Sequence, residues 1–145
     1  MTTETRTPQP IAGAPSAWRV RAIAVAGAVA ATSLLWLVAR ILGIDLWVDP
    51  HNGQPAGPVS LTAVLAFTLV FSLLGWGVLA ALERFTRRAH TIWTILALAM
   101  LAVSFVPLVY VEATPGTKII LTLMHLAVAC VLVPLLRRSG TKAVA

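Results

Sequence analysis

Four apolar runs, each about as long as a helix must be to cross hydrocarbon, constrain this 145-residue chain more than any other feature. They extend over about residues 20–41, 59–82, 92–111 and 118–136. A helix rises about 1.5 Å per residue, so roughly 20 residues cover a hydrocarbon core about 30 Å thick. Open strands would leave backbone N–H and C=O groups unpaired in lipid, so helices are the expected form. Composition points the same way: 11% of residues are charged, where a soluble domain carries about 25%. The expected fold is all-α, a polytopic membrane protein built as an antiparallel four-transmembrane-helix bundle.

The breaks between the runs set its topology. Asp49 to Pro55, which includes Pro50, ends the first connection, and Pro58 precedes the second span. Glu83 to His90 is a short charged connection, and Glu112 to Lys118 contains the turn signal Pro115-Gly116. Short connections force neighbouring helices to run antiparallel, which gives an up-down-up-down bundle over residues 18–138. Residues 1–17, with Pro8, Pro10 and Pro15 among threonines, read as a disordered tail, and residues 139–145 as a second tail.

Lysine and arginine counts orient the bundle. One side of the predicted topology holds Arg6, Arg19, Arg21, Arg84, Arg87, Arg88, Arg137, Arg138 and Lys142. The other holds Arg40 and Lys118. Nine against two places both termini in the cytoplasm and the chain in the cytoplasmic (plasma) membrane as a multi-pass protein. The aromatic belt agrees in part, with Trp18 and Trp93 expected at the inner interface and Trp47 and Tyr110 at the outer. The first run exceeds the 7–15 apolar residues usual for a cleaved signal peptide and lacks a small-x-small site after it, so it is expected to stay.

Ionisable or strongly polar groups within a span are costly and are the first place to look for function. His125 is the clear case, six residues into the fourth span, with Ser104 at similar depth on the third. The spacing predicts a hydrogen bond between them, direct or through water. Pro107, which removes the helical bond to the carbonyl of Val103, is expected to add a freed acceptor to the same polar cluster. A tie between two helices, contributing about 1 kcal/mol, is the bland reading of this cluster. A proton-handling histidine in a wet cavity is the sharper one.

Small residues mark expected packing faces: Gly27 and Ala31 on the first span, Gly77 and Ala81 on the second. Thr68, Ser72 and Gly75 share one side of the second span and are expected to face the bundle interior. Arg40, Asp45 and Glu112 form an outer charged rim, with Arg40 expected to pair with a carboxylate or to snorkel toward the headgroups. Glu83, beside Arg84, reads as an interfacial charge.

The absences narrow the function classes. Cys130 is the one cysteine, so neither an internal disulfide nor a thiol-redox pair is available. Haem held between helices needs paired intramembrane imidazoles, and His51 and His90 fall in connections. No nucleotide-binding loop, zinc motif or nucleophile elbow occurs, so no cofactor, no metal site and no catalytic residue is expected. The basic residues form no continuous face of the kind that binds nucleic acid.

Leu42-Gly43-Ile44-Asp45-Leu46 after the first span and Leu79-Ala80-Ala81-Leu82-Glu83-Arg84 closing the second carry a resemblance. It continues through Trp93, Ser104 to Pro107, and Leu123-Met124-His125-Leu126. The chain resembles, from about Arg19 to Arg138, small four-helix membrane proteins of actinobacteria grouped as a domain of unknown function. That resemblance implies a fold and a location and carries no activity. The expected role is a non-enzymatic accessory or interaction protein whose partners are the bilayer and a second copy or another membrane protein. A small transporter using a cavity around His125 is the alternative.

Overall fold

The computed structural model describes residues 16–49, 51, 53 and 55–139; the two expected tails, with Arg6 and Lys142, lie almost wholly outside them. Four helices form: α1 (Ala17–Ile41), α2 (Leu61–Phe85), α3 (Ala89–Tyr110) and α4 (Pro115–Arg138). Each is long and apolar enough to cross a membrane. Packing runs round the bundle from α1 to α2 to α3 to α4 and closes with the most extensive contact, α1 on α4. The start of α1, the α2–α3 connection and the end of α4 therefore share one end, called here the termini end.

Local chemistry sets where the helices begin and stop. The hydroxyl of Ser60 accepts the Ala63 N–H at 3.1 Å and opens α2. Thr114 does the same for α4, accepting the Thr117 N–H at 3.2 Å, with Pro115 in the first turn, where its missing N–H costs nothing. α1 ends where Gly43 turns left-handed at φ 68°. Ile44 N–H then reaches the Ala39 carbonyl at 2.9 Å, and Gly43 N–H the Arg40 carbonyl at 3.2 Å. This closing motif favours glycine because a Cβ would be strained at that φ. α3 continues through Pro107 to Tyr110, and α4 through Pro134 to Arg138.

The described residues of the α1–α2 connection include a short strand pair. β1 (Trp47–Val48) pairs antiparallel with β2 (Gly57–Pro58). Asp49 and Glu112 exchange backbone hydrogen bonds at 2.9 and 3.2 Å, so the hairpin is stitched to the α3–α4 connection. Trp36 donates its indole N–H to the Val59 carbonyl at 3.0 Å, and Thr117, fully buried, donates to the Asp45 carbonyl at 2.8 Å. Leu46 and Ile44 are thereby pressed onto Ala39, Val64, Ile120 and Met124. The described residues of this connection lie as a strap across one end of the bundle.

A second apolar cluster fills the termini half: Ala24, Ala28, Leu79, Trp93, Leu132 and Leu136. A layer of hydroxyls separates the two. Thr32, 1% exposed, lies 3.2 Å from Thr68 and 3.1 Å from the carbonyls of Ala28 and Val29. With the Thr32 proton given to its own helix, Thr68 donates across to α1. Ser72, one turn further along α2, is fully buried and has no hydrogen-bond partner among the described residues. Thr68, Ser72 and Gly75 thus face inward, as their spacing implies.

Trp93 departs from its expected place in an interfacial belt. It is 4% exposed, and its indole N–H donates to the Gly75 carbonyl at 2.8 Å. A Cβ at position 75 would lie 3.9 Å from the ring, in ordinary van der Waals contact, so the small residue there leaves the indole room to reach the backbone. Trp93 is a wedge between α2 and α3.

Candidate functional site

The densest polar constellation lies at the termini end and draws on all four helices. Arg21 sits on the buried stripe of α1 with Ala24, Val25, Ala28 and Thr32, so its guanidinium points into the bundle and is 10% exposed. It meets a Glu83 Oε1 at 2.6 Å from the last turn of α2, and its Nε–H donates to Ser139 Oγ at 3.1 Å beyond α4. Ser139 in turn donates to the Leu136 carbonyl at 2.7 Å. His90, in the first turn of α3, brings Nε2 within 3.3 Å of the same Glu83 oxygen. Its Nδ1 is enclosed with no partner among the described residues.

Physically this is an ionic clasp. A short charge-assisted bond between partly buried groups is stronger than a neutral one, and its partners are hard to replace singly. Sequence reading placed Glu83 at the interface as a charge beside Arg84; the bundle makes it the acceptor shared by Arg21 and His90. The signal available was the face of α1: Arg21, Ala24 and Ala28 recur at helical spacing, which aims the arginine inward.

The expected cluster around His125 is arranged differently. Ser104 donates to the Leu101 carbonyl at 2.6 Å, within its own helix. His125 Nδ1 lies 2.7 Å from the Leu121 carbonyl, again within its own helix, which requires the proton on Nδ1. The ring that faces His125 from α3 is Phe105, at 6.1 Å between centroids and tilted by 49°. Ser104 is one residue away and therefore about 100° round the helix. Equal depth brought the two helices' residues level, but rotation put an aromatic where the hydroxyl was expected. Pro107 is exposed, and the Ser104 hydroxyl goes to Leu101, not to the carbonyl of Val103.

The packing residues divide. Gly27 faces α4 so closely that a Cβ would come within 3.1 Å of Val131 Cγ1, and Ala31 is half-buried one turn on. Gly77 has nothing within 4 Å of a Cβ position, and Ala81 is exposed. The rotation of α2 leaves this second small-residue pair out of the contacts within the bundle. Ser72, Gly75 and Leu79 occupy its inner face, and residues 77 and 81 are roughly 160–200° from Leu79.

At the strap end, Arg40 lies 3.9 Å from Asp45, with both side chains largely exposed, and stands 5.8 Å over the Trp36 ring. Solvated pairs of this kind contribute little. Glu112 is 3.9 Å from His51 Nε2, and Asp49 is 3.3 Å from His51 Nδ1. Among the described residues no group of three or more histidine, cysteine or acidic side chains is placed to hold a metal ion.

No curated protein and no solved structure matches the chain. One family model does, over residues 12–142, which takes in the clasp, the strap and all four helices. The chain belongs to DUF6069, a family of unknown function.

Proposed function

We propose that the chain is a non-enzymatic accessory or interaction protein of the cytoplasmic membrane, with both termini in the cytoplasm. The orientation rests on arginine distribution: the termini end holds Arg19, Arg21, Arg84, Arg87, Arg88, Arg137 and Arg138, against Arg40 and Lys118 at the strap end. The observation that carries the role is the position of α3. Only 6% of its apolar window is buried inside the bundle, against 22–28% for the other three helices. The inward groups of the bundle are largely committed to one another, as in Arg21 with Glu83, Thr32 with Thr68 and Trp93 with Gly75. What the fold leaves over is outward surface, and α3 offers most of it.

The transport reading has less support, because Ser104 and His125 are each engaged by their own helix. Extraction of native membranes in mild detergent, followed by mass determination on a sizing column, tests the proposal. The chain is expected to leave the membrane with a second copy or another membrane protein. Tryptophan at the exposed Ala99 and Ala102 of α3 is expected to abolish that association while leaving the bundle's own unfolding within about 0.5 kcal/mol. A wild-type chain that emerges as a clean monomer contradicts the role.

A further inference from the structure

We infer that the termini end is a binding surface for anionic phospholipid headgroups, centred on the α2–α3 connection. Among the described residues this end carries seven arginines and one carboxylate, whereas the strap end carries two basic side chains and three acidic ones. The single carboxylate is already engaged. Glu83, 30% exposed, is held by buried Arg21 and faces His90, so its charge is largely offset there. The other carboxylates of the described residues lie at the strap end, with Asp45 beside Arg40, and Asp49 and Glu112 beside His51.

Arg19, Arg84, Arg87, Arg88 and Arg137 are consequently exposed without an acidic partner among the described residues. Three of them fall within five positions of the α2–α3 connection, where the Thr86 hydroxyl accepts the Arg88 N–H at 3.2 Å and shapes the chain. Like charges this close repel, and a second source of negative charge relieves them. The depth of the rim says which source. Trp18 is 60% exposed with the Arg19 guanidinium over its ring at 5.7 Å, and Phe85 is 87% exposed beside Arg84. Both aromatics end apolar helices, the level at which amphipathic rings sit among headgroups. The anions within reach there are lipid phosphates. Zwitterionic lipids cancel that charge with their own amine, so an anionic headgroup is the better partner.

The test uses the purified full-length chain in neutral detergent, titrated with phosphatidylglycerol or with phosphatidylcholine and read by mass spectrometry of intact complexes. Phosphatidylglycerol is expected to bind the more tightly, and its affinity to fall on the order of fivefold for each of Arg84→Gln, Arg87→Gln and Arg88→Gln introduced. Arg40→Gln with Lys118→Gln, at the other end, is expected to change nothing. On the unaltered chain the preference should fade as salt shortens the screening length to about 3 Å at 1 M. Equal affinity for the two lipids overturns the inference, as does a preference that survives all three substitutions. Displacement of the lipid by inorganic phosphate, at an ionic strength where chloride has no effect, assigns the surface to free phosphate and also overturns it. Displacement by a short DNA oligonucleotide under the same conditions does so in favour of nucleic acid.

Discussion

Replacing Glu83 by alanine is expected to destabilise the bundle by about 3 kcal/mol, because Arg21 is then left charged and enclosed with no acidic partner. The value sits at the low end for a broken buried pair because Glu83 is 30% exposed, and water can partly reach the vacated space. The loss should spread beyond one contact. Arg21 joins α1 to α2 and to Ser139, and Glu83 also faces His90 at the start of α3, so all four helices feel the change. Removing both charges together is a different experiment. Arg21→Met with Glu83→Leu replaces two desolvated ions by apolar side chains, and should recover most of what Glu83→Ala alone loses. Reversible unfolding in mixed micelles, followed by helical circular dichroism, measures both. If Glu83→Ala proves neutral, the clasp contributes nothing to the fold.

The second large effect is expected at Gly27. A Cβ there comes within 3.1 Å of Val131 Cγ1, at the most extensive helix contact in the bundle. Leucine adds three further carbons where there is no room, and α1 must move off α4. Overpacking of this kind typically costs 1–3 kcal/mol, and Gly27→Leu is expected at about 3 kcal/mol. Gly77→Leu serves as the matched control, since nothing lies within 4 Å of that position. Its effect on unfolding should stay within about 0.5 kcal/mol. A pair of values that came out equal would mean that α1 does not approach α4 as described.

These two positions also show where sequence reading succeeds and where it stops. Span number and approximate limits follow from apolar length alone, because lipid permits few alternatives to a helix. α1 ends at Ile41 and α2 at Phe85, and α4 runs from Pro115 to Arg138, so the helices also take in turns that flank the apolar runs. Inward and outward faces are harder. Gly27 and Gly77 carry the same small-residue signal, yet one touches a neighbour and the other does not. Alanine-rich helices offer several small stripes, and only the packing of larger residues such as Leu79 selects among them.

Pairings between helices are harder still. Arg21, Glu83 and Ser139 are far apart in sequence, and nothing local marks them as partners. Antiparallel topology puts them at one end, but the inward rotation of each decides whether they meet. The same rotation separates Ser104 from His125, although both lie at the expected depth. In hydrocarbon a serine hydroxyl readily returns to a carbonyl of its own helix, and Ser104 does so at Leu101. The strap escaped notice for another reason. Its strands are two residues each, too short for alternation to show, and its stitching to Glu112 runs through backbone atoms that any residue could supply.

The claim on which the rest depends is four crossings with both termini on the cytoplasmic side. Single cysteines at the exposed positions 51 and 87, in a chain carrying Cys130→Ser, test it with a membrane-impermeant maleimide. His51→Cys is expected to be labelled in intact cells, and Arg87→Cys only after the cells are opened. Labelling of Arg87→Cys in intact cells, or protection of both positions until opening, would contradict the account.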